Sequence, residues 1–189
     1  LINNLPMGFY SAATLIQDAR RRGIRARPVC CVASGWLTTV EADDTIRIGF
    51  HRVKGLRESA ARSILAARAA QPFASMHDFL ARTQLDPAAR RSLAAAGALN
   101  ALASHRRAAL WQVEEAPRQD DLFTSVAPDA AELSPLEAMT HFERLAADYR
   151  TLSLTVGDHP MKAIRASLPD VLRASDLPGV RNGARVTIA

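Results

Sequence analysis

The chain has 189 residues, enough for one large domain or two small ones, and 48% of them are hydrophobic, ordinary for a protein that buries a core. No apolar run approaches the roughly 18 residues of a membrane span, and no basic-then-apolar leader opens the chain, so neither a membrane span nor export is expected. The net charge is +5, but residues 1–118 carry 17 basic and 9 acidic side chains whereas residues 119–189 carry 7 and 10. The first part therefore holds +8 and the second −3.

Of the 24 basic residues only Lys54 and Lys162 are lysines. Arginine's flat, multi-donor fork suits phosphate, so a basic first part points to a polyanionic partner, nucleic acid above all; a solvated arginine-rich surface is the alternative. The two cysteines, Cys30 and Cys31, are adjacent. That argues against a disulfide framework and suits a reducing, cytoplasmic setting. The chain opens at Leu1 without an initiator methionine and stops at a short alternating stretch with nothing after it to pair, so it reads as a piece of a larger protein.

In chain order, "SAATLIQDARRRGIRARPV" (11–29) predicts a helix capped by Ser11 and stopped by Gly23. "RPVCCVA" (27–33) predicts a short buried strand, with the cysteines as filling. "LTTVE" and "TIRIGF" predict two more strands around a polar turn at Glu41–Asp44. From Leu56 to Trp111 helical spacing dominates, broken at Gln71-Pro72, Asp86-Pro87, Gly97 and Ser104. Residues 112–135 are acidic and interrupted by prolines, which predicts a linker. A helix follows with Ser134 as N-cap, Pro135 at its first position and Glu137 closing a capping box. "GDHP" (157–160) predicts a turn, "MKAIRASL" a short helix, and "DLPGVRNGARVTIA" a turn-rich lead into a strand.

The stretch "FHRVKGLRESAARSILAARA" (50–69) places Arg52, Lys54 and Arg57 around Gly55, just before an alanine- and arginine-rich helix. Helix, then h-x-x-h-x-G-h (Phe50, Val53, Gly55, Leu56), then helix is the helix-hairpin-helix pattern. Glycine permits close backbone approach, and the amides after it lie at a helix N-terminus that favours an anion. Lys54 and Arg57 would add charge-assisted contacts to phosphate, which position a protein on DNA without reading sequence. The alternative is a purely structural turn capped by glycine.

A second, degenerate copy runs through "RRSLAAAGALNALASHRRAALW" (90–111), with Gly97 in the hairpin and Ser104 as N-cap of the next helix. His105, Arg106 and Arg107 lie in that helix's first turn, where cations oppose the helix dipole, so their placement calls for an anionic partner. Two such hairpins in tandem can grip one duplex backbone across the minor groove.

The five histidines never cluster with cysteine or carboxylate at metal-ligand spacing, and no catalytic triad or P-loop is present, so no catalytic or metal residue is assigned. "QDDLF" fits Q-x-x-L-F, a short sliding-clamp docking pattern in which Gln119 bonds at a pocket rim while Leu122 and Phe123 fill it. The alternative is linker apolars packing on the nearest helix.

Together "LINNLPMGFYSAATLIQDARRRGIRARPV", "RIGFHRVKGL", "FASMHDFLARTQLDPAARRSLAAAGALNALASHRRAALW", "LSLTVGDHP" and "SDLPGVRNGARVTIA" resemble the C-terminal half of bacterial C-family DNA polymerases, the polymerase III alpha-subunit type. The variants look more like the error-prone branch, used in damage-induced translesion synthesis, than the replicative one. The resemblance implies a mainly α fold with a small β portion, divided into five parts. Residues 1–44 would close the α/β fingers region, 45–111 would be the tandem helix-hairpin-helix domain, and 112–135 the acidic linker. Residues 136–175 would be a helical connector, and 176–189 the first strand of a truncated OB-fold.

The resemblance further implies that the parent is a DNA-directed DNA polymerase whose catalytic aspartates and Mg2+ lie outside this chain, and that the piece is inactive alone. Its expected partner is double-stranded primer–template DNA, with a sliding clamp and damage-response accessory proteins as further partners, in the bacterial cytoplasm at the nucleoid. Where relatives read "RPVDVN" this chain has "RPVCCV", which favours packing over a polar role there. Three alternatives remain open at this stage. They are a replicative alpha-subunit fragment, a module that recruits polymerase to a clamp, and a helix-hairpin-helix arm of a repair nuclease or ligase.

Overall fold

A computed structural model describes residues 1–115, 134–168 and 171–188. They form two compact units, Leu1–Val156 and Gly157–Ala189. The chain is mainly helical with small sheets.

The first unit opens with α1 (Ala12–Arg21), where the Ser11 hydroxyl accepts from the Thr14 amide as a cap residue should. A three-stranded sheet follows, built from β1 (Ala26–Arg27), β2 (Thr39–Val40) and β3 (Ile46–Arg47) in the order β1-β3-β2. β1 pairs with β3 in parallel, Ala26 opposite Ile46, and β2 pairs with β3 antiparallel, Val40 opposite Ile46. The turn before β3 is closed by the Glu41 amide donating to Thr45 O and the Asp44 amide to Glu41 O.

Its carboxylates neutralise neighbouring arginines. Arg47 and Arg27 pair with Glu41, and Arg25 and Arg27 with Asp43. A hydrogen bond from Arg47 holds the Glu41 carboxyl below the ordinary range, and the nearby Thr45 hydroxyl with Arg27 and Arg25 does the same for Asp43. Three of the first unit's arginines are thereby compensated within the fold.

Of the strand predicted over 27–33 only Arg27 lies in a strand, and the rest leads into a turn. Pro28 has no amide to give to a sheet. The Cys30 amide instead donates to Ser34 Oγ (2.9 Å), and the Ala33 and Ser34 amides fold back onto Cys30 O. Val29 and Cys31 are buried as expected of filling, but from a turn, and Cys31 N–H donates to Ala98 O (2.8 Å).

Four helices then pack in succession: α2 (Glu58–Ala70), α3 (Met76–Thr83), α4 (Pro87–Ala95) and α5 (Arg106–Glu115). α2 stops at Gln71 before Pro72, and α4 starts with Pro87 behind Asp86, whose side chain accepts from the Ala89 amide. Arg82 of α3 donates to Gln71 O (2.7 Å) and Ala67 O, placing a cation on the carbonyl end of α2. The same guanidinium lies 5.1 Å over the ring of Phe73, which meets Phe79 edge-on at 5.0 Å.

One core runs through this unit. Ile16, Ile48, Phe50, Ile64, Phe79, Leu93, Leu99 and Leu154 are fully enclosed in it. Truncating such a side chain to alanine costs about 2–5 kcal/mol.

α6 (His141–Leu152) also differs from the expected helix. It is capped not by Ser134 but by Thr140, whose hydroxyl accepts from the Glu143 amide while Glu143 Oε2 accepts from the Thr140 amide. The reciprocal pair Thr140–Glu143 completes the capping box that Ser134 and Glu137 do not. Ser134 instead accepts from the Leu136 amide in a local turn.

In the second unit α7 (Pro160–Ile164) follows the turn, capped by the His159 ring. The terminal strand β5 (Thr187–Ile188) has a partner after all. It pairs in parallel with β4 (Val171–Leu172), an earlier strand in the chain, Val171 opposite Thr187.

Candidate nucleic-acid interface

The first hairpin spans Phe50 to α2. Its leading helix is a single 3-10 turn, Phe50–Arg52, because the strand β3 ends only three residues before it. Phe50, Val53 and Leu56 anchor the loop in the core, and Gly55 turns it at φ +79°, where a side chain would be strained. Lys54, Gly55 and Arg57 are exposed. α2 begins at Glu58 with Arg57 as N-cap, and no side chain caps its first-turn amides.

Three amides of this loop are engaged internally: Val53 N–H donates to Phe50 O (2.9 Å), Lys54 N–H to Thr151 O (2.9 Å) and Leu56 N–H to Val53 O (3.2 Å). The side chains of Lys54 and Arg57 enter no ion pair among the described residues, and Arg62 pairs with Glu58 one turn into α2. Arg52 is half-buried with its Nε unpartnered, and burial pulls its guanidinium below the ordinary arginine range. Beside it, His51 Nδ1 lies 3.0 Å from Trp36 O, and burial lowers that ring as well.

The second hairpin runs from α4 through Gly97, at φ +77°, to α5. α4 and α5 pack tightly, and Arg91 joins them through Glu114. The expected cap at Ser104 is one residue early. Ser104 is exposed, and His105 Nδ1 accepts from the Ala108 amide (3.1 Å), so the imidazole caps α5.

The anionic partner that these arginines call for lies within the protein. Arg106 is 9% exposed and donates to Asp148 Oδ1 (2.7 Å), Ala96 O (3.4 Å) and Arg144 O (3.3 Å). Asp148 Oδ2 also accepts from Thr155 Oγ1 (2.8 Å), so the buried pair is held on both sides. Arg107 donates to Glu143 Oε1 (2.6 Å) and to Glu137 O (3.1 Å). An alanine methyl at Gly97 would come within 2.7 Å of Arg106 Nη2, so this glycine makes room for the guanidinium.

α6 therefore touches both hairpins: through Thr151 at the first, and through Asp148 and Glu143 at the second. These three residues escaped the sequence reading. A capping box starting at Thr140 was the one local signal that could have placed α6 correctly.

Gln119, Leu122 and Phe123 lie outside the described residues. Among the described residues there is no group of three or more His, Cys, Asp or Glu placed to hold a metal ion. No helix among them is long and apolar enough to cross a membrane.

Residues 23–109, which contain both hairpins, match the helix-hairpin-helix motif family. The chain is 42% identical over 173 residues to the error-prone DNA polymerase of Bordetella parapertussis, covering 89% of this chain and 16% of that protein. It is 42% identical over 200 residues to the enzyme of that name from Azoarcus sp., covering all of this chain and 19% of the relative. The corresponding figures for Pseudomonas aeruginosa are 41% over 172 residues, 89% and 17%. The chain thus spans less than a fifth of the length of these curated relatives. By sequence the chain is a homologue of one stretch of the error-prone DNA polymerases, and its own residues 23–109 carry the helix-hairpin-helix match.

Proposed function

We propose that this chain is the duplex-DNA grip of an error-prone DNA polymerase acting in damage-induced synthesis, holding primer–template DNA by its phosphates without reading sequence. The observation that carries this reading is the first hairpin. There, Lys54 and Arg57 stand exposed and without an ion pair among the described residues, at the start of a helix that no side chain caps. An anion there meets the helix dipole, open amides and two cations together. Arg52 supports the loop from its half-buried position. In the second hairpin Gly97, Ser104 and His105 shape the backbone, while Arg106 holds the loop to Asp148.

The names of the relatives support the error-prone branch over a replicative fragment or a repair nuclease or ligase arm. Nucleotidyl transfer and its Mg2+ would belong to carboxylates elsewhere in the parent enzyme. Lys54→Glu with Arg57→Glu is expected to abolish duplex binding in a fluorescence-anisotropy titration. Binding by the unaltered chain should fall steeply with salt. Unchanged binding by the double variant would remove the first hairpin from the interface.

Recruitment to a sliding clamp through Gln119, Leu122 and Phe123 is a separate proposal resting on the Q-x-x-L-F pattern. A clamp pull-down lost on Leu122→Ala with Phe123→Ala supports it, and retention sinks it.

A further inference from the structure

The adjacent arginines at the start of α5 are held in different ways. Arg106 and Asp148 have side chains only 9% and 17% exposed, and both bond further groups, so neither can leave without stranding a buried charge. Arg107 and Glu143 are 32% and 44% exposed. Water and salt reach that pair, which makes it weak and exchangeable. Glu143 would not be orphaned by losing Arg107, because its Oε2 accepts from the Thr140 amide (2.8 Å) and hydroxyl (3.0 Å). At the start of the same helix a recess of about 160 Å³ opens, lined by Asn100, Ser104, His105 and Arg144. Arg144 enters no ion pair among the described residues.

We propose that Glu143 is a stand-in for a DNA phosphate: in the free protein its carboxylate masks Arg107, and duplex binding exchanges that carboxylate for a backbone phosphate. This rests on reading the hairpins as a DNA grip and adds a built-in competitor to it. The Thr140 amide and hydroxyl, with Arg107 beside them, hold the Glu143 carboxyl below the ordinary carboxylate range, so the mask is charged at neutral pH. The second hairpin then contributes its charge only when DNA displaces α6's carboxylate, while Asp148 keeps the loop in place.

The test compares the unaltered chain, Glu143→Gln, Arg107→Ala and the double variant, titrating a mixed-sequence duplex over a range of salt. Glutamine retains the acceptor that the capping box needs, so α6 stays capped. Glu143→Gln is expected to tighten binding about two- to five-fold at low salt. It should also steepen the log–log salt dependence by about one released counterion. Both gains should vanish in the Arg107→Ala background. No gain overturns the mask, and so does an equal gain with Arg107→Ala, which would report only a lost negative charge near DNA. Absence of duplex binding by the unaltered chain overturns the grip reading and this proposal with it; binding without a gain overturns the mask alone.

Discussion

At Gly55 a methyl group would make only an ordinary contact, with Ser92 Oγ at 3.5 Å, whereas at Gly97 it would strike the Arg106 guanidinium. Both glycines hold left-handed backbone, at φ +79° and +77°. The first faces solvent beside Lys54 and Arg57; the second is buried beneath an arginine that α6 has claimed. The same glycine device thus presents cations to the outside in one hairpin and fastens the fold in the other. The difference comes from α6, which brings Asp148 and Glu143 to the second hairpin but only a backbone carbonyl, Thr151 O, to the first.

The contrast is broken or sharpened most directly at Asp148. Asp148→Ala leaves Arg106 buried without its carboxylate, and is expected to cost about 3–5 kcal/mol in chemical denaturation. The Lys54→Glu, Arg57→Glu protein should unfold close to the unaltered chain. If Asp148→Ala unfolds like the unaltered chain, the second hairpin is not the fastened one.

Next in size is the pair of glycines. Gly55→Ala is expected to cost about 1–2 kcal/mol, the strain of left-handed backbone alone. Gly97→Ala should cost clearly more, since it also displaces Arg106. Equal midpoints for the two variants would show that the guanidinium yields freely.

The smallest expected effect concerns the turn that supports the second hairpin. Cys30 is half-buried, and the adjacent Cys31 thiol, with the Val32 and Ala33 amides and nearby Arg47, pulls its thiol below the ordinary range. The Cys31 thiol is pushed up by the adjacent Cys30 and by burial. A thiol with a lowered value is thiolate at lower pH, so alkylation of Cys30 by iodoacetamide should reach its half-maximal rate below the pH of about 8.5 typical of a free cysteine. Cys31 should stay unlabelled in the folded chain. Because Cys31 N–H donates to Ala98 O, modification at Cys30 should loosen the second hairpin slightly more than the first, read by amide exchange at Gly97 against Gly55. Labelling of Cys31 ahead of Cys30 would refute that ordering.

Much of the helical frame was legible because its signals are local. Ser11, Asp86-Pro87, Gln71-Pro72, Gly55 and Gly97 each mark a boundary through a cap, a missing amide or a left-handed backbone. The misreadings also have local causes. At 27–33 valine and cysteine suggested a strand, but Pro28 and Ser34 favour a turn whose hydrogen bonds come from one side chain and its own backbone. Ser134 and Thr140 both open plausible capping boxes, and only packing chose the second. The first hairpin's leading helix shrank to one 3-10 turn because β3 ends immediately before it.

Residue order by itself determined that two glycine hairpins precede alanine- and arginine-rich helices, and that the positive charge gathers in the first part of the chain. Which of those charges remain open to a ligand was decided only by tertiary structure. The partners are far apart, Arg106 and Asp148 being 42 positions from each other and Arg107 and Glu143 being 36. Periodicity and capping act within a turn or two of helix, whereas the pairing of distant charges depends on how α6 lies across the hairpins, which no short stretch of sequence encodes.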